Sequence, residues 1–295
     1  MQHEESVVGN LSERLLVELG CSLDRLEQWL TVAKFGHPLV AVVPDPTFDN
    51  WDPAFVPLIT RHFVNRSCRL GRCIQLLTEQ NLSIEAQPVL RTAVEAAIDL
   101  RYISTNPVTL VTKWMLFEDV VRLKGLRDDL PSDRPRDFKQ VEAEVTDRLS
   151  RLDATAPHRN GKPWKVTEIA RDWDQSSVER RYHLAESRLG ESGQAWYDLY
   201  RLLCAHVHGG TETFREFVRP NQDGKYVYSN VPPRTKSVFV LSLALLVLME
   251  QVISAHRCGA HVDPVVIGPR FHELGATRDD IVEAASRDFD VNLHG

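Results

Sequence analysis

Cysteine is scarce and unpatterned: Cys21, Cys68, Cys73, Cys204 and Cys258 make an odd number, with no C-x-x-C among them. That argues against a disulfide framework and fits reduced thiols in a cytosolic protein. Charge of one sign is also lacking. Lys and Arg number 35 against 41 Asp and Glu, a net charge of -6, so no overall basic field draws the chain to nucleic acid or membrane. The first residues, MQHEESVVGN, are acidic and open no apolar signal region, so a cytoplasmic location is expected. The longest apolar run, Val238 to Leu248, is eleven residues; it is too short by itself to span a bilayer and reads as part of a buried helix. Strand signals, glycine-rich phosphate loops and recognised metal-ligand spacings are nearly missing. Their lack argues against kinases, nucleotide-dependent dehydrogenases and hydrolases of the α/β type.

What remains is helical periodicity in an ordinary globular composition, 43% hydrophobic and 26% charged. Apolar residues at helical spacing run from Leu11 to Phe35, interrupted at Gly20. A Pro- and Asp-rich loop follows, then a helix from about Pro53 to Gln80. Ser83 reads as the N-cap of the next helix, supported by Gln87 and running to about Thr105, where Asn106-Pro107 starts another. Further helices are expected over Phe138–Leu152, Val166–Trp173, Ser176–Leu189, Gly193–His208, Arg234–Arg257 and Arg278–Phe289. Asp223-Gly224, inside RPNQDGKYVYSNVPP, favours a tight hairpin between two short extended arms. The fold expected is therefore all-α: a multi-helix bundle with a short hairpin-like insertion before the last long helix. It divides into an N-terminal helical region (1–82), a helical core (83–258) and a C-terminal appendage (259–295).

Two stretches could carry chemistry. In RTAVEAAIDLRY, Arg91, Glu95 and Asp99 recur every four residues and stack on one helix face beside Ala93, Ala96, Ala97 and Leu100. That pattern is either a solvated ion-pair ladder or a half-buried arginine that shapes a pocket. In YDLYRLLCAHVHGG, positions seven apart lie about 20° from each other around a helix, so Tyr197, Arg201 and His208 share a face. His206 lies about 140° from Arg201 unless the helix has already ended. Gly209-Gly210 invites a helix end there, and one reading makes His206 and His208 simple C-terminal capping residues. The other reading is RNA cleavage. An imidazole can take the proton of a ribose 2′-OH or deliver one to the leaving 5′-oxygen, and an arginine can hold the phosphate.

These residues resemble the HEPN superfamily, whose RNases carry an R-x4-6-H motif and usually join two protomers to complete a site. Arg201 with His206 gives R-x4-H, and Arg201 with His208 gives R-x6-H. The pairing of LRTAVEAAIDLRYI with the later helix end is also similar to a bacterial family of uncharacterised helical proteins. Those carry R-x-x-x-E on one helix and S-x-x-x-H-G on a later one; Cys204 stands at the serine position. Leu202 follows the arginine where the commoner RNase form has a polar residue. The resemblance implies a HEPN-like core over about Ser83 to Arg257 and a metal-independent ribonuclease with no cofactor. It would act as a toxin or in abortive infection against phage, as a homodimer. Its catalytic residues would be Arg201, His208 and, as an alternative imidazole, His206, supported by Tyr197, Arg91 and Glu95. RNA, and an antitoxin or regulatory protein, would be the partners. The rival reading is a catalytically silent interaction or regulatory protein.

Other arrangements fit less well. Cys204, His206 and His208 would put one ligand on the far side of a helix, and only a meeting with His256, Cys258 and His261 would supply enough soft ligands for zinc. A Cys204–His208 nucleophile pair has no evident oxyanion hole. Finally, Arg61, Arg69 and Arg72 lie near one helical face in a segment without acids. They could hold a phosphate backbone, or form a solvated face partnering the acidic helix near Val141.

Overall fold

The computed structural model describes residues 2–32, 55–115, 117, 121, 135–155, 177–190, 195–207, 218–220, 225–228 and 234–274. Helix α1 covers Gln2–Val32, α2 Phe55–Glu79, α3 Ala86–Ile103, α4 Pro135–Thr155, α5 Val178–Leu189, α6 Ala195–Val207, α7 Arg234–Arg257 and the short α8 Pro264–Ile267. Residues 107–115 are also helical. Among the described residues the fold is all-α apart from one antiparallel pair, β1 (Val218–Pro220) and β2 (Tyr226–Tyr228), in the register Val218 to Tyr228. These strands are the two extended arms expected on either side of Asp223-Gly224.

Helix α7 organises the rest. Its sequence is apolar nearly all round, and Val240, Leu241, Leu243 and Leu245 are fully buried. A helix with no polar face has to be surrounded, and α1, α2 and α3 all pack on it. The complete helix is longer than its apolar run. It is long and apolar enough by composition to cross a membrane, yet 89% of its apolar window is buried inside the fold, covered by protein side chains. Each fully buried leucine contributes roughly 2 kcal/mol by area, so this helix is a large source of apolar burial.

The directions of the helices follow from their cross-links. Arg61 of α2 donates to the Leu30 carbonyl near the end of α1, while Arg72 reaches Asp24 and Glu27, so α1 and α2 are antiparallel. They approach closely at Gly71, where an added Cβ would lie 2.7 Å from a Leu23 methyl. A short link joins α2 to α3. Helix α3 then runs parallel to α7, since Ser83 bonds Ser237 at one end and Arg101 bonds Glu250 at the other. One continuous core includes Leu15 of α1, Phe63 of α2, Leu90 of α3, Tyr182 of α5, Leu203 of α6 and Leu245 of α7.

Three expectations need correction. Gly20 does not interrupt α1, which continues through it. Ser83 caps nothing: α3 starts behind Glu85, whose side chain makes no capping bond, and Ser83 is engaged with Ser237 instead. Gln87 is fully buried within α3. By contrast, Ser177 does cap α5 by accepting from the Arg180 amide, and Gly190 ends that helix in the left-handed conformation (φ 67). The proline-rich loop before Pro53 and the helices expected at Val166–Trp173 and Arg278–Phe289 lie outside the described residues.

Candidate functional site

Helix α3 is the element that positions the site. Besides α2 and α7, it packs against α5 and α6. The Arg91, Glu95, Asp99 stripe lies along that seam, so it is no free surface ladder. Asp99 accepts from Arg181 Nε of α5 at 2.7 Å, with Arg181 almost fully buried. Arg91 donates through one terminal nitrogen to the Tyr200 hydroxyl at 2.7 Å and through Nε to Cys204 Sγ at 3.3 Å. Its guanidinium also lies over the Tyr200 ring, 5.0 Å from the centroid. Glu95 contributes a looser ion pair at 3.6 Å, with both side chains about one-third exposed or less. Arg91 is thus half-buried, and its main partners come from α6.

These contacts shape the electrostatics. The hydrogen bond to Cys204 raises the Arg91 pKa further and keeps the guanidinium charged. Burial, reinforced by the Glu95 carboxylate, pushes the Tyr200 phenol up to about 12. Tyr197, one turn earlier, is also raised, by desolvation and a hydrogen bond to Glu179. The phenols of this seam therefore stay neutral at ordinary pH. The rings of Tyr182, Tyr197 and Tyr200 form a row with centroids 6.4 Å apart at each step, and His183 lies 6.0 Å from Tyr197.

The residues named from sequence separate into groups. Arg91, Glu95 and Cys204 converge, joined by Tyr200, which the sequence did not single out, and so the R-x-x-x-E helix and the later helix meet through Arg91 and Cys204. Tyr197 turns toward α5 and the Tyr182 ring. Arg201 is exposed on α6, and among the described residues it makes no hydrogen bond or ion pair. His206 belongs to the last turn of α6, while His208 lies outside the described residues. The helix is therefore described only to Val207, one residue short of the end expected.

The segment of the soft-ligand alternative at the end of α7 is described. His256 Nδ1 faces the Val262 carbonyl at 2.9 Å, and Cys258 is buried with its thiol pushed up to about 11, chiefly by desolvation. Among the described residues no group of three His, Cys, Asp or Glu side chains is placed to hold a metal ion. The arginines of α2 also divide. Arg61 and Arg72 are engaged with α1, rather than with the acidic helix near Val141, whereas Arg69 is exposed.

Sequence reading missed two features. Tyr200 is not among the residues singled out from sequence, although Tyr200 and Cys204 are four apart and so share the face that meets Arg91. The buried set of Arg101, Glu250 and Glu186 was also missed. Arg101 bonds Glu250 at 2.8 Å and lies 3.6 Å from Glu186, and no periodicity joins residues that far apart in the chain.

No curated protein and no solved structure shows significant similarity to this chain. A family profile does match, over residues 58–226, from the first turn of α2 to the start of β2. That span contains both motif helices, α3 and α6, and more than half of the chain. The chain therefore belongs to the family of unknown function DUF5677.

Proposed function

We propose that this protein is a metal-independent ribonuclease with a HEPN-like core, acting as a homodimer in a toxin or abortive-infection role. The observation that carries the reading is the state of Arg201. It is exposed on α6, uncommitted among the described residues, and seven positions before His208. The same helix is fixed by Arg91 through Tyr200 and Cys204. In this reading Arg201 holds the scissile phosphate. His208, or His206 in its place, takes the 2′-OH proton as the 2′-oxygen attacks phosphorus. The P–O5′ bond then breaks to leave a 2′,3′-cyclic phosphate, and the imidazolium returns its proton to the leaving 5′-oxygen. Imidazole and guanidinium suffice for this chemistry, so no cofactor is required. Arg91 and Glu95 act as positioning residues for α6, and Tyr197 braces it against α5.

One observation favours the rival reading of a silent interaction protein. Arg91, the cation held by protein hydrogen bonds, is engaged with Tyr200 and Cys204 and reads equally as a clamp between two helices. The test is RNA cleavage by the purified full chain in excess EDTA. Cleavage that persists with chelator and disappears in His208→Ala supports the ribonuclease. Absence of cleavage by the wild-type protein favours the silent reading, and cleavage that needs added zinc or manganese overturns metal independence.

A further inference from the structure

The outer face of α2 carries a second arrangement that the site on α6 does not use. His62, Arg66 and Arg69 fall within about 60° of one another around the helix and span about 10 Å along it. All three are exposed. Among the described residues neither Arg66 nor Arg69 makes a hydrogen bond or an ion pair. The contrast with their neighbours is informative. Arg61 is bound to the Leu30 carbonyl, and Arg72 is clamped by Glu27 and Asp24. Those two hold the bundle together, and the acids of α1 nearest α2 are occupied on that side. From Arg61 to Arg72 the segment has no acid, so the positive stripe is not neutralised along its own helix.

At one end the stripe meets aromatic surface. His62 lies 5.6 Å from the half-buried Trp114, which in turn rests 5.4 Å from Phe63. Two guanidiniums without partners among the described residues, bordered by a histidine–tryptophan pair, match a particular chemistry. Cations hold a polyanionic backbone while an aromatic ring receives a base, and only an unpaired strand can offer both at once. A duplex would present phosphates but keep its bases stacked inside.

We propose that the outer face of α2 is a binding surface for single-stranded RNA, with Arg66 and Arg69 on phosphates and the His62–Trp114 pair against a base. The choice of RNA rests on the ribonuclease reading above; the surface itself does not. The experiment uses the full chain carrying His208→Ala, so that bound RNA is not cut. Fluorescence anisotropy is followed with a labelled single-stranded oligonucleotide and with a duplex across a salt series. Arg66→Glu with Arg69→Glu should weaken single-strand binding about tenfold or more. It should also flatten the slope of log K against log salt by about 1.4, close to 0.7 for each lost phosphate contact. His62→Ala, on an exposed side chain, should weaken the single strand about fivefold and the duplex little; it is preferred to changing Trp114, which packs on Phe63. Unchanged affinity and slope in the double variant, equal wild-type affinity for duplex and single strand, or no RNA binding at all would each overturn the surface. Cleavage by the wild-type chain is measured separately. Cleavage that survives with an inert stripe sinks only this proposal, and stripe-dependent binding without cleavage sinks only the ribonuclease reading.

Discussion

Arg91 on α3 donates from Nε to Sγ of Cys204 on α6 at 3.3 Å, across 113 residues of sequence. That bond joins the two motifs singled out in the chain, and it places the thiol where a serine is expected in the related pattern. With the Tyr200 hydrogen bond at 2.7 Å, it makes Arg91 the chief polar link between the two helices.

The relative weight of Arg91 and Glu95 follows from this geometry. Removing Glu95 leaves Arg91 with Tyr200 and Cys204, so Glu95→Ala should cost under about 1 kcal/mol, as expected of a part-exposed i,i+4 pair. Arg91→Ala removes two hydrogen bonds and a cation–π contact, and should cost about 2 kcal/mol. Urea unfolding of both variants tests the order. A larger loss for Glu95→Ala would mean that the carboxylate, and not α6, holds the arginine.

The buried ion pair at the other end of α3 should matter more. Glu250 is 5% exposed and accepts from Arg101 and Ser254. Glu250→Ala strips a buried arginine of its closest carboxylate, and a loss of about 3 kcal/mol or more is expected. Glu250→Gln keeps an acceptor in place and should lose less. Thermal unfolding of the two variants measures the difference; equal and small changes would show that water reaches Arg101.

The bundle was legible in the sequence because its signals are local. The apolar run at Val238 to Leu248 marked α7, and Arg234 to Arg257 is the helix observed. Periodicity also found α2, α3 and α5 to within a few residues. Ser83 misled because a serine ahead of a helix has two uses, and Ser237 is its partner here. The stripe on α3 remained ambiguous for the same reason: Arg91, Glu95 and Asp99 look alike whether solvent or α6 covers them. Only the fold supplies Tyr200, Cys204 and Arg181.

Tyr200 should also leave a mark at high pH. Its phenol is pushed up to about 12 from an ordinary value of 10.0, first by burial and then by Glu95. The folded state therefore keeps its proton where the unfolded state has lost it. The associated stability is complete below about pH 10 and disappears as pH rises toward 12. Other buried groups, Cys68 and Cys258 among them, are raised too, so the wild-type decline is a sum. Tyr200→Phe should make the fall in stability between pH 10 and 12 shallower. Parallel curves for the two proteins would show that Tyr200 ionises freely in the fold.

The function itself turns on which side chains of α6 act only on RNA. Arg201 is exposed and contributes no described packing, so Arg201→Ala should leave the melting temperature within experimental noise. Loss of a positioned cation on a developing phosphorane charge should nevertheless lower cleavage by about a hundredfold or more. His208→Ala should cost a comparable factor, since positioned proton transfer typically contributes about a hundredfold to ten-thousandfold. A histidine that merely closes the helix predicts otherwise: its removal would cost well under about 2 kcal/mol of stability and spare activity. His206→Ala is the internal control, because helical geometry sets that position about 140° away from Arg201. An inactive His206→Ala beside an active His208→Ala would make the R-x4-H pair the catalytic one. Full activity in all three variants would leave α6 as a packing helix, clamped by Arg91 and without a role in chemistry.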